Sequence, residues 1–182
     1  MNFKSLLLSA LTLGSIVAPA ANAGYVYEGY HLMDGSDFGG YERVATPMIE
    51  ALNEMGVPVV DGGKNDVEMC IPREESYTLG FYVPASNVMV ICTESIPVWM
   101  QMETLTHETV HVIQDARAGI DNGELGEGSV SYLRGLVNDL DVEKVNTIES
   151  LYDESDYAVE IEAFYYETRP QVVLNEIQKW AF

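Results

Sequence analysis

His107-Glu108-Thr109-Val110-His111 places two of the chain's three histidines four residues apart, with a glutamate between them. On an α-helix, positions i and i+4 lie roughly 40° apart around the axis and one turn apart along it. Two imidazoles so spaced can grip one metal ion. Zinc suits a four-coordinate set of neutral imidazole nitrogens and carboxylate oxygen, and a catalytic zinc keeps one position for water. Bound zinc lowers the pKa of that water to roughly 7. Glu108 follows His107 directly and is positioned to act as general base on the zinc-bound water, so the motif points to metal-assisted hydrolysis. The competing reading is a chance match, with the histidines serving as ordinary core or surface groups.

The flanks bear on that choice. Thr104, Leu105 and Thr106 precede the motif, and Val112 and Ile113 follow it, all uncharged. A helix that carries a metal through a protein interior needs uncharged neighbours, because unpaired buried charge is costly.

A third ligand is sought downstream, in Tyr157-Ala158-Val159-Glu160-Ile161-Glu162-Ala163-Phe164. Glu160 and Glu162 are two apart, hence roughly 200° apart on a helix, so only one can face the metal. Glu160 is the leading candidate and Glu162 an alternative; two solvated acids beside an apolar stripe is the simpler reading. Glu127 is the other alternative. Its segment, Glu127-Gly128-Ser129-Val130-Ser131-Tyr132, resembles the E-G-x-A-x-Y segment that supplies the glutamate in some aminopeptidase-like zincins. The glycines there also fit a loop and helix cap. Tyr132, Tyr157, Tyr165, Tyr166 and Arg117 are donors of the type that stabilises developing charge. His31 lies apart from the motif and reads as a surface residue.

The elements that must position these groups follow from periodicity. Residues 41–55 carry Val44, Met48, Ala51, Leu52 and Met55 at helical spacing, and Gly56 ends the run. Short strands are predicted at 57–60 and 66–71, and a hairpin at 79–83 and 87–92 around Pro84-Ala85-Ser86. The second hairpin arm is almost wholly apolar and reads as buried on both faces. Ser95 is a candidate cap for a long helix over 97–118 that stops at Gly119. Further helices are expected at 129–140, 141–152, 157–168 and from Pro170 to Trp180. The order is helix, three or four strands, then helices only, which predicts an α+β fold.

Composition narrows the setting. Lys4, an apolar run over residues 6–17 and Ala21-Asn22-Ala23 read as a signal peptide cleaved after Ala23. One domain over residues 24–182 would remain, secreted or periplasmic and free of the membrane. The formal net charge of −20 argues against nucleic acid and anionic lipid as partners. In an exported protein the two cysteines, Cys70 and Cys92, suggest a disulfide between neighbouring strands; two buried thiols are the alternative.

His107 to Gly119 resembles small zincin-like proteins of marine cyanobacteria and their phages. That group carries H-E-x-x-H-x-x-Q-D-x-x-A-G and a later E-x-E-A, matched here by Gln114, Asp115, Ala118 and Gly119, then by Glu160, Glu162 and Ala163. The resemblance spans about residues 79–166 and implies a minimal zincin-like domain with Glu160 as the gluzincin-type ligand. It implies an exported zinc-dependent hydrolase acting on peptides or proteins. It also implies that strand 87–92 lies beside the metal helix and offers an edge to an extended substrate. Gluzincins often have Asp or Asn where Phe164 stands here, which orients a metal-binding histidine. Asp115, one turn beyond His111, is the candidate replacement; a helix-end salt bridge is its other reading. A different implication stays open, a non-catalytic acidic binding domain that holds a structural metal or none.

Overall fold

The computed structural model describes residues 29–72, 78–94, 96–119 and 125–181. The signal peptide and the capping role of Ser95 lie outside the described residues. Among the described residues no helix is long and apolar enough to cross a membrane.

The chain is α+β, as its pattern predicts. Helix α1 (Glu42–Glu54) precedes strand β1 (Val59–Asp61). Strands β2 (Gly80–Val83) and β3 (Val88–Ile91) form the hairpin, followed by the long helix α2 (Val98–Ala118). Helices α3 (Val130–Asp139), α4 (Val142–Leu151), α5 (Tyr157–Tyr166) and α6 (Pro170–Ala181) complete the fold. Gly119 ends α2 with φ 102°, a conformation that only glycine adopts freely. Ser129 caps α3, its side chain accepting from the Tyr132 amide.

The sheet order is β1-β3-β2, with β1 parallel and β2 antiparallel to β3. The apolar β3 is therefore the central strand, which explains its uniform hydrophobicity. This corrects the expectation of an edge at 87–92. The lead-in chain covers β1: Leu32 bridges Val60, and the Met33 amide donates to the Val59 carbonyl. The edge beside α2 belongs to β2. Asn87 is not a strand residue; it turns the hairpin at φ 51°, which asparagine tolerates well.

Residues 66–71 do not form the expected strand. Asp66 takes φ 50°, and Glu68–Cys70 is a 3₁₀ turn. The apolar residues there serve a different end. Cys70 is bonded to Cys92, and Val60, Val67 and Val90 pack around that disulfide. A local apolar pattern cannot distinguish a strand from a segment tethered by a covalent crosslink.

Helix α2 is buried without a break from Thr104 to Ala116. Its threonines tolerate this because each hydroxyl bonds back within the helix. Thr104, Thr106 and Thr109 donate to the carbonyls of Met100, Met102 and Leu105 at 2.7–2.8 Å. The main core, including Met48, Leu52, Met89, Ile91, Leu105 and Ile177, fills the space between α1, the sheet, α2 and α6. Strand β2 approaches α2 closely at Gly80. A Cβ there would lie 2.5 Å from Thr104 Cγ2 and 2.7 Å from the Val90 carbonyl oxygen.

Two stability measurements check this packing. Gly80→Ala is expected to lower the urea-unfolding free energy by about 1–3 kcal/mol, because β2 must move off α2 or β3; an unchanged midpoint contradicts the close approach. Replacing Cys70 and Cys92 by alanine frees a crosslink of sequence separation 22. On chain entropy that costs about 3 kcal/mol, read as a lower midpoint in the same assay.

Candidate metal centre

The side chains of His107 and His111 leave the same face of α2, with ring centroids 5.0 Å apart. Glu160 enters from the first turn of α5, which packs against α2. Ala163 stands one turn further along α5, fully buried, and its small side chain permits the close helix approach. His107, His111 and Glu160 are 6%, 7% and 4% exposed. Glu160 Oε2 lies 3.4 Å from His107 Nε2, and Oε1 lies 3.5 Å from His111 Nε2. Donor atoms held about 2.1 Å from a tetrahedral ion sit about 3.4 Å apart. Each histidine meets that spacing to one of the two Glu160 oxygens, and one donor atom from each of the three groups lies within 4.8 Å of the others.

The outer ring nitrogens are occupied. His107 Nδ1 lies 3.1 Å from Glu167 Oε2, while Lys144 Nζ holds Glu167 Oε1 at 2.6 Å. His111 Nδ1 lies 2.8 Å from Gln114 Oε1. With acceptors taking Nδ1–H, each neutral ring turns a lone pair toward Glu160. Glu160 Oε2 is buried without a hydrogen bond among the described residues. Three electron-pair donors thus face one another, with Tyr152 also reaching Glu160. A proton or a metal cation among them satisfies that arrangement.

The acid–base balance responds accordingly. Burial works against charge on His107, but Glu160, Glu167 and Glu108 outweigh it and hold its pKa well above the ordinary value. Burial also pushes the Glu160 carboxyl up, yet His111 and His107, helped by nearby Tyr152, pull it below the usual range. Glu167 is lowered in the same way by His107 and Lys144 against the effect of burial. Without metal, the proton between His107 and Glu160 resides on the imidazole.

Glu108 is 4% exposed and lies beside the triad. Burial raises its pKa against the opposing charge of the two histidines, and the Tyr82 backbone N–H donates to it. Strand β2 therefore supplies a fixed contact to the candidate base. The Tyr82 hydroxyl donates to Asp115 Oδ2 at 2.6 Å. Asp115 thus anchors the β2 side chain, and the histidine-orienting role expected for it belongs to Glu167 and Gln114.

The other candidates have different partners. Glu162 lies on the far side of α5 and receives Arg117 Nη1 at 2.7 and 2.8 Å, Tyr132 Oη at 2.9 Å and Gln114 Nε2 at 3.1 Å. The roughly 200° offset from Glu160 separates the two acids as helix geometry requires. Glu162, Arg117 and Tyr132 line a cavity of about 250 Å³ that includes neither histidine. Glu127 and His31 are exposed. Tyr157 Oη meets the Glu149 carbonyl, and the ring of Tyr165 lies 3.8 Å from the Arg169 guanidinium carbon. Phe164 packs edge-on against the His107 ring at 5.0 Å.

Glu167 is the residue that sequence reasoning missed most avoidably. It stands seven positions after Glu160, two helical turns along the same face, and that spacing was available. Lys144 and Tyr82 come from other elements and carried no local signal. No family model, curated protein or solved structure matches the chain.

Proposed function

We propose that His107, His111 and Glu160 hold a divalent cation, with zinc the ion best suited to two imidazoles and a carboxylate, and that the domain is a zinc-dependent hydrolase of zincin type acting on peptide bonds. The observation that carries this reading is the convergence of three buried lone-pair donors at metal-ligand spacing with a fourth acid, Glu108, beside them. Bound zinc supplies Lewis acidity toward water and a carbonyl oxygen. Glu108, kept by burial above the usual carboxylate range, is suited to take a proton from attacking water and return it to the leaving amine. The Tyr82 N–H orients that carboxylate. Strand β2, at the sheet edge next to α2, supports backbone pairing with an extended peptide. Export, as the N-terminal sequence predicts, is consistent with the Cys70–Cys92 disulfide.

The depth of the triad favours a second reading, in which the cation is structural and the acidic surface binds a partner. Turnover separates the two.

Glu108→Gln is expected to keep one equivalent of zinc by elemental analysis and to lose roughly 10²–10⁴-fold in peptide hydrolysis. Equal inertness of wild type and variant across a broad peptide library selects the structural cation instead. His107→Ala is expected to purify without metal; full occupancy in that variant contradicts the ligand assignment. Metal binding must also displace the proton that His107 holds. Below the raised pKa of His107, apparent zinc affinity should therefore fall about tenfold per pH unit as pH drops, with about one proton released. Calorimetry in buffers of different ionisation enthalpy reads that release, and zero release rules the displacement out.

A further inference from the structure

Gln114 is wholly buried, and its side chain contacts both helices that bring the triad together. We propose that Gln114 is a positioning residue that selects the tautomer of His111 and braces it against the backbone that carries Glu160. The inference rests on reading the triad as a metal site.

The proton positions follow by elimination. Gln114 Nε2 lies 2.9 Å from the Val159 carbonyl oxygen and 3.1 Å from Glu162 Oε2. A carbonyl oxygen can only accept, and Glu162, paired with the Arg117 guanidinium, accepts as well. Both hydrogens of the amide NH₂ are used there, one for each acceptor. The amide oxygen must then be the atom 2.8 Å from His111 Nδ1. An amide oxygen cannot donate, so Nδ1 carries the hydrogen. In the neutral ring this leaves the lone pair on Nε2, the atom that faces Glu160 Oε1 at 3.5 Å.

The same amide sets a distance. Val159 immediately precedes Glu160, so its bond to Gln114 ties the first turn of α5 to α2 three residues beyond His111. Glu162 is fixed in turn by Arg117 and Tyr132, which gives the brace a rigid footing. The task needs one acceptor and two donors on a single side chain at this reach, which glutamine offers. A methionine of similar length offers no donor and only a weak acceptor, and a carboxylate offers acceptors only. His107 is held differently, by the Glu167–Lys144 ion pair. The two histidines thus have a charged and a neutral partner, and Gln114 is the neutral one.

The test uses the full chain with Co²⁺ as probe metal. In metal-free wild type at mildly alkaline pH, long-range ¹H–¹⁵N NMR is expected to show His111 protonated at Nδ1. In Gln114→Met the expected results are a shift of His111 toward protonation at Nε2, an altered visible Co²⁺ spectrum and a roughly 10- to 100-fold loss of Co²⁺ affinity. Wild type that binds Co²⁺ but leaves Nδ1 bare overturns the role of Gln114, as does a variant with unchanged affinity and spectrum; in both cases the metal site stands. Wild type that binds no Co²⁺ removes the metal site and this inference together. If Gln114→Met does not fold, the wild-type tautomer decides the question alone.

Discussion

Three lone-pair donors aimed at one another inside a protein repel unless a proton or a metal cation lies among them. His107, His111 and Glu160 are in that position, each less than a tenth exposed. In a medium of low effective dielectric the cost of leaving them unsatisfied is several kcal/mol, far more than a surface cluster would incur. The arrangement persists because its outer side is over-determined. Each imidazole is pinned at Nδ1, one by a salt-bridged carboxylate and one by a braced amide. Much of the remaining architecture serves that contact between α2 and α5.

The supporting fold shows how a polar helix can be buried. Three threonine hydroxyls on α2 are satisfied by its own carbonyls, so its surface presents methyl groups to the core. Fully buried Ala163 permits α5 to come near. On the opposite side β2 approaches at Gly80 and delivers the Tyr82 amide to Glu108, with Asp115 holding the Tyr82 ring from the next turns of α2. The candidate base is thereby supported by a strand and the candidate ligands by two helices. The Cys70–Cys92 disulfide ties the end of β3 to the 3₁₀ turn and keeps this side of the sheet together.

Legibility in the sequence followed the range of the interactions. Helix boundaries near α1, α2 and α6 were readable because glycine stops, proline starts and apolar spacing act within a few residues. The separation of Glu160 from Glu162 was readable for the same reason: a 200° offset is local geometry. The segment 66–71 was misread because its apolar residues answer to a disulfide partner 22 positions away. Asp115 was assigned to a histidine on spacing alone, whereas Tyr82, 33 residues earlier in the chain, claims it. Strand 87–92 was expected at an edge, but its uniform apolarity belongs to a strand with neighbours on both sides.

By itself the sequence determined the α+β class, the helix that bears two histidines on one face and the acid beside them. These depend on backbone periodicity and on which side chains can donate or accept. Tertiary structure alone decided that Glu160 turns inward while Glu162 pairs with Arg117, that Glu167 and Gln114 orient the two rings, and that β2 borders α2. Those choices depend on which helices and strands pack against one another, and burial rewards many such packings nearly equally. The one that pairs these buried polar groups emerges only when the whole chain is assembled.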